Sequence, residues 1–239
     1  MSTPSQSWLT RPRSWRMLFA SSVGKKVIMG VTGLMMVGWV VLHMAGNTLL
    51  YAGDHALPFT DMNAMNFYGW VLQEGSHGAI WLMRVIMLTA LGLHVWAAVT
   101  LTQQNASARP QRYQHGAKTQ KTSIFAKTMR YSGVLLLVYI IGHIAHITLG
   151  VGIPEFEFGH PYETVVKAFQ NPLVAGAYVV ANLGLMFHLF HATWSSLKTL
   201  GFDHPQYADV LRQGSMALAA VVSLVNISLP IAVLLGVVQ

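Results

Sequence analysis

The sequence contains no cysteine. Disulfides, thiolate-ligated iron–sulfur clusters and covalently attached c-type haem are therefore excluded, and any iron–sulfur chemistry belongs to a partner. Charge is scarce too: 10% of residues are Asp, Glu, Lys or Arg, against about 25% in a soluble globular domain. That is too little to coat a soluble surface. No nucleotide-binding glycine loop and no nucleophile–base pair is present, so substrate chemistry must take place elsewhere. No internal repeat or low-complexity tract is evident.

What the chain has in plenty is apolar length. Runs 27–50, 79–102, 131–151, 173–197 and 215–237 can each cross a hydrocarbon core of about 30 Å, which takes about 20 helical residues. They predict an all-α polytopic membrane protein with five transmembrane helices, preceded by a cytoplasmic or interfacial segment 1–26 in which "WRMLFASSV" (15–23) lies along the interface. The transmembrane domain is 27–239. The first run follows a mixed segment and exceeds the length of a signal-peptide core, so it is read as retained. All of the 15 basic residues except Arg84 and Lys167 fall before the first span, between the second and third, or between the fourth and fifth. Asp54, Asp61, Glu74, Glu155, Glu157 and Glu163 fall on the opposite side. The positive-inside rule then sets the N-terminus in the cytoplasm and the C-terminus outside. The basic residues flank membrane spans, which suits anionic lipid and gives no support to nucleic-acid binding.

Six histidines, His43, His94, His143, His146, His188 and His191, sit inside the spans, at least one in each of the first four and none in the fifth. Intramembrane ionisable residues usually face the bundle interior and mark function. At about 1.5 Å per residue from the cytoplasmic helix ends, His94 and His188 lie roughly 12 and 13 Å deep, His43 roughly 24 Å and His143 roughly 18 Å. His146 comes at roughly 22 Å and His191 at roughly 9 Å. Two levels emerge, one from the second and fourth spans and one from the first and third. No span contains Asp or Glu, which disfavours a proton relay, and ligands split between two depths do not make one zinc tetrahedron. Facing imidazoles suit non-covalent, six-coordinate haem b, which carries electrons and leaves no open iron position. Gly30, Gly33, Gly38, Gly92, Gly133, Gly142 and Gly184 would admit a flat porphyrin or serve ordinary close packing of helices.

With "SSVGKKVIMGVTGLMMVGWVVLHMAGN" (21–47), "LGLHVWAAVTL" (91–101), "MRYSGVLLLVYIIGH" (129–143) and "MFHLFHATWSSLKTLGF" (186–202), the chain resembles the single-chain diheme cytochrome b anchor subunit of succinate:quinone oxidoreductases, the succinate dehydrogenase and fumarate reductase (complex II) family. Thr32-Gly33 before His43 and Ser132-Gly133 before His143 are part of the likeness. The resemblance implies two haems b in a bundle of the first four helices, with His43, His94, His143 and His188 as axial ligands and the fifth helix peripheral. Depth alone favours His146; the family spacing selects His143, and likewise His188 over His191. Arg84, Arg130, His146, His191, Asn47 and Tyr51 become candidates for contacts with haem propionates or quinone. The basic loop 103–130 is expected to dock an iron–sulfur subunit that carries a flavoprotein, in a bacterial cytoplasmic membrane, and exposed apolar helix faces permit a higher oligomer. The implied role is electron transfer from succinate to a membrane quinone, with menaquinone common among diheme members. Alternatives are a quinol:fumarate reductase, the cytochrome b of a hydrogenase or formate dehydrogenase, and a haem-free anchor.

Overall fold

The computed structural model describes residues 16–108 and 124–239; residues 1–15 of the N-terminal segment and the middle of the basic loop 103–130 lie outside them. The elements are α1 (Arg16–Ala20), α2 (Ser22–Asn47) with a 3-10 turn Thr48–Ala52, α3 (Ala64–Trp70) with a π turn Val71–Gly75, and α4 (Ala79–Ser107). Then follow α5 (Ile124–His143) with a π turn Ile144–Thr148, α6 (Pro161–Phe169), α7 (Pro172–Thr199) and α8 (Pro205–Leu234). Five of these helices are long and apolar enough to cross a membrane. The protein is an all-α, multi-pass membrane protein.

The long helices overrun the apolar runs because their ends are set by caps, while the runs measure only the stretch that lipid must solvate. Ser21 accepts a hydrogen bond from Gly24 N at the start of α2, and Asn171 from Leu173 N at the start of α7. α8 begins ten residues before its apolar run, where His204 accepts from Gln206 N and Pro205 opens the first turn. A cap acceptor followed by proline satisfies or removes amide donors that have no partner within the helix. The segment expected along the interface contains α1, which folds back so closely on α2 that a Cβ at Gly24 would collide with the Leu18 backbone.

α2 packs on α4, α5 on α7, and α2 on α7, while the diagonals α2–α5 and α4–α7 make no comparable backbone approach. The face of the membrane at which α2 starts is termed the N side and the opposite face the C side. α8 has no histidine and lies outside this group, against α7 and the edge of α2. It is firmly seated nonetheless: Val222, Ser223 and Pro230 are fully buried.

The largest apolar core is not in the spans. It lies at the C side, where α6 and α3 close over the helix ends and bury Leu50, Met65, Tyr162, Val166, Phe169 and Val233 together. Lipid solvates apolar side chains as well as a protein interior does, so the spans gain little by burying theirs. Asn66 clamps this cap. Its amide donates to both oxygens of Glu163, at 2.8 and 3.1 Å, and accepts from Tyr162 N at 2.9 Å.

Candidate functional site

Four of the histidines meet in two pairs across the diagonals. The rings of His94 on α4 and His188 on α7 lie 6.5 Å apart, centroid to centroid, with planes at 62°. Those of His43 on α2 and His143 on α5 lie 5.8 Å apart at 82°. A metal–imidazole bond is about 2 Å long, so one metal ion held between two rings spaces their centroids by roughly 6 Å. Each pair takes one ring from the α2–α4 hairpin and one from the α5–α7 hairpin. The N-side pair lies level with Thr32 and Ser132. The C-side pair stands eleven residues further along the same two helices, roughly 16 Å along the bundle.

The N-side pair is held by its ring Nδ1 atoms. His94 Nδ1 lies 3.1 Å from Met29 O and 3.3 Å from Thr32 Oγ1. A carbonyl only accepts, so this nitrogen carries the proton. The Thr32 hydroxyl already donates to Ile28 O at 2.7 Å. Opposite, His188 Nδ1 lies 3.1 Å from Ser132 Oγ, whose own proton goes to Thr128 O or Met129 O. With that proton on the backbone, His188 donates to Ser132. The Met29 carbonyl fixes His94 as the Nδ1–H tautomer, and Ser132 can hold His188 in the same way, which leaves the Nε2 lone pair free for a Lewis acid. The glycines after these hydroxyls make room for the rings: a Cβ at Gly33 would lie 3.3 Å from His94 Cε1, and one at Gly133 would lie 3.6 Å from His188 Cε1. The Thr-Gly and Ser-Gly pairs thus belong to the site, each cradling the histidine of the following span. The two halves of the bundle echo one another, a local repeat too short to be evident in the sequence.

On the C side, Trp39 stacks beside His43 at 6.1 Å and 16°. His143 Nδ1 is 3.2 Å from the hydroxyl of Tyr178 on α7, and His146 Nδ1 is 3.2 Å from the same oxygen. His146 thus faces Tyr178 and not His43. It sits in the π turn, where Leu149 N bonds Ile144 O, five residues back. Tyr178 went unnoticed in the sequence because an aromatic residue in an apolar span reads as packing.

The remaining candidates are scattered. His191 lines an N-side cleft of about 430 Å³ with Lys26, Trp194, Ser195 and Lys198. Arg84 lies over the Trp81 ring, 4.5 Å from its centroid, and Arg130 is exposed at the N side. Tyr51 donates to Ser228 Oγ at 2.6 Å, tying the 3-10 turn to α8, while Asn47 ends α2. Sequence reading also passed over Lys25. It is 7% exposed, with its ammonium 5.8 Å from the ring centroid of Trp96, two residues beyond His94. Positive-inside counting had absorbed it. Of the glycines, Gly30 and Gly184 pack against Ser196 and Leu135, while a Cβ at Gly38, Gly92 or Gly142 would meet nothing within 4 Å.

Comparison of the chain with protein-family models, with curated proteins and with solved structures found no match in any of the three. Among the described residues no three His, Cys, Asp or Glu side chains form a group able to hold a metal ion. The site offers imidazoles two at a time, the axial number for a cofactor that brings its equatorial ligands with it.

Proposed function

We propose that the chain is the membrane-anchor cytochrome b subunit of a succinate:quinone oxidoreductase of a bacterial cytoplasmic membrane, holding two b haems and conducting electrons to a membrane quinone. The observation that carries this reading is the pair of facing imidazole couples, spaced for one metal each and, at His94, set as the Nδ1–H tautomer. His94 and His188 would hold the N-side haem, His43 and His143 the C-side haem. Bound in this way, the haems supply reversible one-electron chemistry with no open iron position.

The chain's own residues orient and insulate. Thr32, Met29 and Ser132 hold the N-side rings by hydrogen bonds that also raise ligand basicity. Lys25 supplies a buried positive charge at the N-side level, where carboxylate groups of a bound haem need one; a buried ammonium is costly without a partner of this kind. The apolar runs within the spans carry no Asp or Glu, so they offer no carboxylate relay for protons beside the electron path. In this reading the N side is cytoplasmic, as the basic residues require. There the chain docks an iron–sulfur subunit carrying a flavoprotein that oxidises succinate. Menaquinone is the expected acceptor, by resemblance to diheme anchors.

Pyridine haemochrome analysis of the purified chain should give two haems b per chain, and a value of zero or one rejects the assignment. In the complete complex, succinate should reduce menaquinone or ubiquinone analogues while both haems turn over optically. A His43→Ala variant should keep the N-side haem and lose quinone reduction. Full-rate reduction in that variant would show that electrons need not cross the bilayer.

A further inference from the structure

We infer that Tyr178 and His146 are positioning residues for the C-side ligand His143, acting as a hydrogen-bonded relay that increases electron donation by that imidazole and lowers the potential of the C-side haem. The inference rests on the two-haem reading.

The direction of the relay follows from counting protons. A ligand bound through Nε2 carries its proton on Nδ1, so His143 donates across 3.2 Å to the Tyr178 oxygen. The Tyr178 hydroxyl then has one proton to give, and the other group within reach is His146 Nδ1, again at 3.2 Å. His146 therefore accepts at Nδ1 and keeps its own proton on Nε2. The His143 Nδ1 proton and the Tyr178 hydroxyl proton are both used, and no charge is created. Each bond polarises the next, so the acceptor strength of His146 is felt at His143. The tyrosine is fixed in place: it is 9% exposed, with Phe169 at 4.9 Å and Tyr139 at 5.3 Å, both edge-on. The π turn brings the second imidazole to the same oxygen, so one hydroxyl on α7 meets two rings from the end of α5. The N-side pair is wired differently. There the ligands donate to a carbonyl or to hydroxyls whose protons end on main-chain oxygens such as Ile28 O and Thr128 O. Its hydrogen-bond chain thus ends on the backbone, whereas on the C side it ends on a replaceable side chain. Hydrogen bonding behind an axial histidine is an established lever on haem potential.

The test is an optical redox titration of the purified holoprotein, with the C-side haem identified as the one lost in His43→Ala. Tyr178→Phe keeps the ring and its packing, and should raise the C-side midpoint while leaving the N-side midpoint in place. His146→Leu should move it in the same direction by less, and His146→Gln, whose amide oxygen still accepts, should return it toward wild type. The double variant Tyr178→Phe with His146→Leu should match Tyr178→Phe alone, as members of one chain do. An unmoved or lowered C-side midpoint in Tyr178→Phe, with both haems retained, overturns the relay; so do additive shifts in the double variant. Should Tyr178→Phe lose its haem, the Leu and Gln variants of His146 decide, and equal midpoints in those two overturn it. Absence of haem from the wild type removes the two-haem reading itself, a result seen before any variant is compared.

Discussion

Hydroxyls do more at this site than their size suggests. Ser132 takes the proton of His188 and passes its own to the backbone of α5. Ser132→Ala leaves His188 Nδ1–H without its acceptor, at a cost of about 1–3 kcal/mol. That variant should keep both haems with the N-side midpoint raised, measured by redox titration. Thr32→Val should do less, because Met29 O still accepts from His94 at 3.1 Å. Lys25 is tested by charge: Lys25→Gln should lower N-side haem occupancy on mild detergent extraction, Lys25→Arg should preserve it, and the haem content of the two preparations reads the difference. At this scale the sequence was legible in part. That intramembrane histidines are the candidates follows from their rarity in lipid-facing helices, but between His143 and His146 depth alone favours His146, while the family resemblance favours His143. In the structure it is His143 whose ring lies beside His43, while His146 turns to Tyr178. Lys25 and Tyr178 were illegible for a different reason: each has an ordinary explanation at its position, and only burial and partners remove it.

Among the elements, the spans were plain and the cap was not. Crossing lipid demands about 20 apolar residues in a row, a signal that survives any context. α3 and α6 are short helices in loops, announced only by the N-cap Asn63 and by Pro161 in the first turn of α6 and by an apolar face of two turns. Yet they form the main apolar core. Asn66 joins them, and Asn66→Ala would leave the buried Tyr162 amide unpaired, a loss of about 1–3 kcal/mol. The expected result is a lower thermal midpoint and earlier protease cleavage between α5 and α7, with haem content unchanged at temperatures below the transition. Asn66→Asp should be worse, since it sets a second carboxylate against Glu163. Tyr162 shares this setting: burial, with Asp54 and Glu163 nearby, pushes its phenol above the ordinary range, so it remains a hydroxyl donor to Gln239 O through neutral pH.

For the molecule as a whole, the proposed topology of five crossings has the termini on opposite faces. A reporter fused after Gln239 should be active only outside the cytoplasm, and activity inside would reverse the topology. The two hairpins share more than orientation. α2 and α5 carry the same Thr/Ser-Gly step eleven residues before a paired histidine, and each ring pair draws one ring from each hairpin. Neither hairpin owns a pair. The consequence reaches into biogenesis: a ribosome that has released only the first hairpin into the bilayer has delivered half of each socket and a complete version of neither. On the two-haem proposal, cofactor capture waits for the fourth span, and a chain truncated before α7 should be haem-free at both levels at once. Expressed as two separate polypeptides, residues 1–108 and 109–239 should recover both haems together or neither, which makes the ring pairs a checkpoint on completed insertion.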